Sequence, residues 1–194
     1  MAIPEINFKA SYYLQSEILG SYFDFNLLSK FIKNFEKYFK KKRNKILYLI
    51  GKFTGFKWKQ KRIDVWFFDS WHTSISYPLL LNVYGFNKDF VFFNLVHELV
   101  HNNVFDLVVH KNKKGYEMIE LEAIVSLVTK KVLSKFFDSK KLNRLCKEAE
   151  FGGTYKYVWK RVKELENKID FKKTNIKEWV SNKKDYTIKN EIAR

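Results

Sequence analysis

The chain of 194 residues is poor in cysteine, proline and glycine, and each shortage excludes a class of protein. Cys146 is the only cysteine, so a disulfide scaffold is excluded and a reducing compartment is favoured. Two prolines and seven glycines are too few for a collagen-like or low-complexity chain. With 46% hydrophobic and 18% aromatic residues, the composition is typical of a packed globular protein.

Long hydrophobic runs are also missing. The most apolar stretch, residues 77–109, is interrupted by asparagine, aspartate and lysine, so it cannot supply the roughly 20 apolar residues of a membrane span. Residues 1–5 contain neither the basic region nor the apolar region of a secretory signal. We therefore expect a soluble, cytoplasmic protein with no membrane partner. The sequence does not indicate its oligomeric state.

Acidic residues are few relative to basic ones, since 37 Lys and Arg stand against 21 Asp and Glu and give a net charge of +16. Such a charge attracts acidic partners, including nucleic acids. The sequence has no zinc-finger spacing, glycine-rich phosphate loop or aromatic RNA-binding signature that would read a nucleic acid. A solvated basic surface is therefore favoured, and nucleic-acid binding is the weaker alternative.

Hydrophobic periodicity predicts a mostly helical α+β fold with a small sheet. Helices are predicted over residues 26–42, 89–105, 117–137, 140–150, 155–169 and 175–182, and strands over 46–50, 63–68 and 75–84. Pro78 lacks an N–H, so the third strand is expected at the edge of the sheet or to begin after the proline. Asp89 is the expected cap of the second helix, which has almost no polar face and must be largely buried.

One segment of that helix carries the motif His-Glu-x-x-His, at His97, Glu98 and His101. Four residues make a little over one helical turn, so both imidazoles project from one face and can bind the same metal ion. Neutral imidazoles suit zinc, which lowers the pKa of bound water to about 7, so that a nearby carboxylate can take its proton. The motif predicts one Zn²⁺ per chain with Glu98 as general base, in preference to two core histidines.

A catalytic zinc needs a third protein ligand. A histidine six residues after His101 is excluded, because Leu107 stands there. The next predicted helix offers Glu117, Glu120 and Glu122. On a helical wheel Glu122 lies near the inward, apolar side, whereas Glu120 points nearly opposite. Glu122 is therefore the expected ligand with Glu120 as the alternative, and solvent exposure is the ordinary expectation for Glu117 and Glu120.

Two further residues of this helix, Ser126 and Thr129, form a polar stripe beside Glu122, as expected for groups that orient a metal ligand. The remaining histidines are expected to be loop or turn residues. His110 is at best a contributor to the pocket, and His72 is expected at the surface.

With these residues in place, positions 75–133 resemble the zincin metallopeptidases, and among them the thermolysin-like branch with a glutamate third ligand, the gluzincins. The resemblance implies hydrolysis of peptide bonds in a peptide or protein substrate, which would bind to residues 76–84 by strand addition. It also implies a side chain that stabilises the oxyanion, for which Tyr155, Tyr157 and His110 are candidates. The family often has an aspartate at the position of Ser126, bonded to the first histidine, so the partner of His97 is not identified.

The sequence thus predicts a zinc-dependent peptidase in a single zincin-like domain, residues 1–194. We expect a helical N-terminal part (1–45), a part with the sheet and the metal-binding helices (46–137), and C-terminal helices (138–194). One alternative is a regulatory zincin that cleaves a single dedicated partner and has little general activity. The other is a basic nucleic-acid-binding protein in which the histidines are structural.

Overall fold

A computed structural model describes residues 3–10, 25–68, 74–104, 115–149 and 155–182. The elements, in chain order, are β1 Glu5–Ala10, α1 Phe25–Lys40, α2 Arg43–Thr54, β2 Arg62–Phe68, β3 Leu79–Asn82, a short 3-10 helix Tyr84–Phe86, α3 Lys88–Asn103, α4 Gly115–Leu133, α5 Ser139–Ala149, α6 Tyr155–Lys168 and α7 Ile176–Asn182. The predicted mostly helical α+β class is confirmed. Among the described residues, no helix is both long enough and apolar enough to cross a membrane.

The strands form a parallel sheet in the order β1–β2–β3. β1 lies in the part of the chain that was expected to be helical, so that expectation is wrong for these residues. Its sequence alternates polar Glu5, Asn7 and Lys9 with apolar residues, which is the period-two pattern of a half-buried strand. The pattern is only six residues long, and its partner β2 begins more than fifty residues later.

An aromatic cluster packs α1 against the sheet. The ring centroid of Phe8 on β1 lies 5.8, 5.4 and 5.3 Å from those of Phe35, Phe39 and Phe67, each in an edge-to-face arrangement. Phe35 and Phe39 belong to the buried stripe that the spacing of three and four residues predicted for this helix. The predicted first helix is therefore confirmed, to within two residues at each end.

The strand predicted for residues 46–50 is wrong, because these residues belong to α2. Ile46, Leu49, Ile50 and Phe53 are all buried, and their spacing follows one face of a helix. A short run of β-branched and apolar residues fits a strand locally, but burial along one helical face decides the outcome here.

The polypeptide leading into α3 departs from the prediction in two details. β3 is at the edge of the sheet and begins directly after Pro78, as expected, but it is shorter than the predicted strand. The cap of α3 is Asn87 instead of Asp89, since its Oδ1 accepts hydrogen bonds from the N–H groups of Asp89 and Phe90 at 3.2 and 3.3 Å. Asp89 lies in the first turn, where its charge favours the helix dipole. The helix is largely buried, as predicted.

The chain folds into two compact units. The first, drawn from residues 1–48 and 58–102, contains the sheet, α1 and the motif-bearing part of α3. The second, drawn from residues 49–57 and 103–194, contains α4 to α7. Within the second unit an ion pair of 2.8 Å joins Lys130 of α4 to Glu166 of α6. The three C-terminal helices begin and end within one residue of their predicted limits.

Candidate metal centre

Two histidines one turn apart on α3 form the centre of the candidate site. The Nε2 atoms of His97 and His101 are 3.1 Å apart, and the rings are inclined by 72°. Zinc–nitrogen bonds of about 2.0–2.1 Å place two nitrogens of a tetrahedral site about 3.3 Å apart, so the observed spacing suits a shared metal ion. Without a metal, the same spacing lets one imidazole donate a hydrogen bond to the other, in a direction set by the tautomers.

The predicted third ligand, Glu122, is one of three side chains that could hold a metal ion. His97, His101 and Glu122 each offer one ligand atom, and these atoms all lie within 4.8 Å of one another. Each of the three side chains is half-buried. This donor set could hold one metal ion, and its assignment to zinc stays a prediction.

Glu120 has a different partner. Its two carboxylate oxygens accept hydrogen bonds from Nε and Nη2 of Arg161 at 2.6 and 3.0 Å. The side chains are only 17% and 20% exposed, so the expected solvent exposure of Glu120 is wrong. The hydrogen bonds from Arg161 to Glu120 raise the pKa of this guanidinium above its ordinary value, against the effect of burial. The side chain of Glu117 lies outside the described residues.

Glu98, the predicted general base, is only 7% exposed and is held by a network of polar contacts. The Ser76 hydroxyl donates a hydrogen bond to Glu98 Oε2 at 2.5 Å. Asn102 Nδ2 donates to the main-chain carbonyls of Ser76 and Glu98 at 3.1 and 2.9 Å, and the Tyr77 hydroxyl donates to the carbonyl of Asn102 at 3.1 Å. None of these three partners was predicted. The one local signal is that Asn102 follows Glu98 by four residues and so shares its helical face.

The outer side of β3 is already bonded to the chain that precedes it. The N–H and C=O groups of Leu80 pair with Ile75 in an antiparallel bridge, at 2.8 and 2.9 Å. The N–H of Asn82 donates to the Ser74 hydroxyl at 3.1 Å. Strand addition of a substrate to residues 76–84 stays a prediction, and at Leu80 it would require the replacement of Ile75.

The other candidates are placed only in part. Ser126 and Thr129, predicted to form a polar stripe beside Glu122, are 2% and 0% exposed. Of the oxyanion candidates, Tyr157 lies on α6 with its side chain 64% exposed. His110, His72 and the side chain of Tyr155 lie outside the described residues. The identity of an oxyanion-stabilising residue stays a prediction.

Comparison with protein-family models, with curated proteins and with solved structures finds no match for the chain. The resemblance to zincins therefore stays a prediction from the motif and its flanking elements. Independently of that resemblance, the geometry provides two imidazoles and a carboxylate that could hold a metal ion.

Proposed function

We propose that the chain is a zinc-dependent peptidase in which His97, His101 and Glu122 bind one zinc ion and Glu98 is the general base. The observation that supports this most directly is the grouping of the three ligand atoms within 4.8 Å. Two histidines and a glutamate are a donor set of catalytic zinc sites, which keep a coordination position open. Glu98 lies on α3 with the two histidines and supplies a further carboxylate that is not part of this ligand group.

Zinc bound at these residues would supply a Lewis acid that polarises the substrate carbonyl and acidifies water. Among the residues of the chain, Glu98 would carry out the proton transfer. Its carboxylate accepts the proton of the water that attacks the carbonyl carbon, and it then returns that proton to the amine that leaves. Because Glu98 is only 7% exposed, bulk water has little access to the carboxylate that carries the proton.

The first experiment measures the metal content of the purified protein by inductively coupled plasma mass spectrometry, together with hydrolysis of fluorescein-labelled casein. We expect one zinc per chain and measurable hydrolysis in the wild type, with both lost in Glu122→Gln, because the amide is a much weaker metal ligand than the carboxylate. Mass spectrometry also identifies the metal, since these donors bind other first-row ions as well.

Glu120→Gln is the matched control, because it makes the same chemical change two residues away. It loses part of the pairing with Arg161, so its folding is checked by circular dichroism, and it should retain the zinc. A wild type that contains no metal after zinc has been supplied would contradict the proposal. Equal loss of zinc from folded Glu120→Gln and Glu122→Gln would contradict the choice of ligand.

A further inference from the structure

We infer that Ser76 is the positioning residue of Glu98, and that its hydroxyl holds the carboxylate in the orientation that proton transfer requires. The inference rests on the proposed function, since a carboxylate needs a set orientation only if it handles the reacting proton. It assigns a catalytic purpose to a residue in the turn before β3, outside the His-Glu-x-x-His motif.

The first support is the contact itself. Ser76 Oγ donates to Glu98 Oε2 at 2.5 Å, and the glutamate is buried to all but 7% of its surface. A carboxylate that meets little water is oriented by the few donors around it. Hydrogen bonds to charged acceptors are shorter and stronger than those between neutral groups. One such donor therefore restricts a side chain that would otherwise rotate about three bonds.

The second support is the way in which Ser76 is fixed. The buried side chain of Asn102 donates to the carbonyl oxygens of both Ser76 and Glu98, so one amide group ties the turn to the helix that carries the base. The Tyr77 hydroxyl adds a hydrogen bond to the carbonyl of Asn102. Ser76, the donor, and Glu98, the acceptor, are thus both tied to Asn102 on the same helical turn. This sets the distance between the hydroxyl and the carboxylate.

The third support is that this turn is anchored without the Ser76 hydroxyl. Asn102 binds the carbonyl of Ser76, Tyr77 binds the helix through its own hydroxyl, and Ile75 pairs with the backbone of Leu80. None of these contacts uses Ser76 Oγ. Removal of the hydroxyl therefore leaves the turn in place and changes mainly the contact with Glu98, which makes the role of Ser76 separable by mutation.

Kinetics provide the first part of the test. We expect Ser76→Ala to lower kcat for labelled casein by roughly ten- to a hundredfold, as misplacement of a reacting group does, with KM and zinc content unchanged. Ser76→Thr retains a hydroxyl and should restore most of the rate. Ser74→Ala is the matched control, because its hydroxyl accepts a hydrogen bond from Asn82 in the same segment, and it should leave kcat unchanged.

The second part of the test does not depend on activity. In protein labelled with ¹³C-carboxyl glutamate, the Glu98 signal is identified by its loss in Glu98→Gln. We expect that signal to shift in Ser76→Ala and to stay in place in Ser74→Ala. An unshifted signal, or an unchanged kcat in Ser76→Ala, overturns the inference, as does an equal fall of kcat in both alanine variants.

These outcomes separate the inference from the proposed function. Hydrolysis by the wild type with an unchanged rate in Ser76→Ala overturns the positioning role and leaves the peptidase standing. A zinc-loaded wild type that does not hydrolyse casein overturns both, even if the Glu98 signal shifts, because the contact then serves no proton transfer.

Discussion

Glu120 and Glu122 are two residues apart on α4 and have different partners. A separation of two positions turns a helix by about 200°, so side chains at these positions point to nearly opposite sides. Glu122 joins the histidine pair in the group that could hold a metal, and Glu120 accepts two hydrogen bonds from Arg161. The helical wheel favoured Glu122 over Glu120 as the third ligand, and that choice stays a prediction. It could not predict the arginine, which lies 41 residues further along the chain.

Mutation can also separate the roles of neighbouring residues within the His-Glu-x-x-His motif. We expect Glu98→Gln to retain one zinc per chain and to lower the rate of casein hydrolysis by about a hundredfold or more, because an amide cannot accept the proton of the attacking water. The measurements are the metal content and the hydrolysis rate of the same preparation. Hydrolysis at the wild-type rate would exclude Glu98 as the base, and loss of zinc would show that this carboxylate supports the metal instead.

Among the elements, the local pattern was reliable where it was long and ambiguous where it was short. The amphipathic pattern of α1, α5 and α6 extends over about three turns or more, and these helices were predicted to within two residues. The five residues 46–50 were too few to distinguish a strand from a turn of buried helix. β1 was missed for a related reason, since its six residues become a strand only by pairing with β2.

Hydrogen exchange can test the pairing along the outer edge of β3. Because Leu80 pairs with Ile75 and Asn82 with Ser74, the amides of Leu80 and Asn82 should both exchange slowly with deuterium. Ser74→Ala should accelerate exchange at Asn82 by about three- to tenfold, the equivalent of one hydrogen bond, and leave Leu80 unchanged. Ile75→Pro removes the N–H that bonds to the Leu80 carbonyl, which is one of the two hydrogen bonds of this bridge. The other bond, from the Leu80 N–H to the Ile75 carbonyl, then lacks its partner bond, so exchange should accelerate mainly at Leu80.

Nuclear magnetic resonance resolves the two amides in the same sample, so each variant is the control for the other. Exchange of the Leu80 amide at the rate of an unprotected peptide in the wild type would contradict the pairing of Leu80 with Ile75. Added casein should not protect either amide further unless it replaces the bonds of Ile75 and Ser74.

For the whole molecule, the net charge of +16 predicts weak binding to DNA without sequence preference. Fluorescence anisotropy with two unrelated duplexes should give equal affinities, which fall by about tenfold or more between 50 and 200 mM salt because released counterions drive the association. Glu122→Gln should bind equally well, since the charge of the surface is almost unchanged. A strong preference for one duplex that persists at the higher salt would favour the nucleic-acid-binding alternative.

The sequence by itself determined the features that depend on neighbouring residues. These are the amphipathic helices, the start of β3 after Pro78, and a His-Glu-x-x-His motif whose histidines share one face because four residues make about one turn. Only the tertiary structure decided which distant groups meet. Ser76 lies 22 residues before Glu98, and Arg161 lies 41 residues after Glu120. Such pairs form through the packing of separate segments, and local periodicity carries no information about that packing.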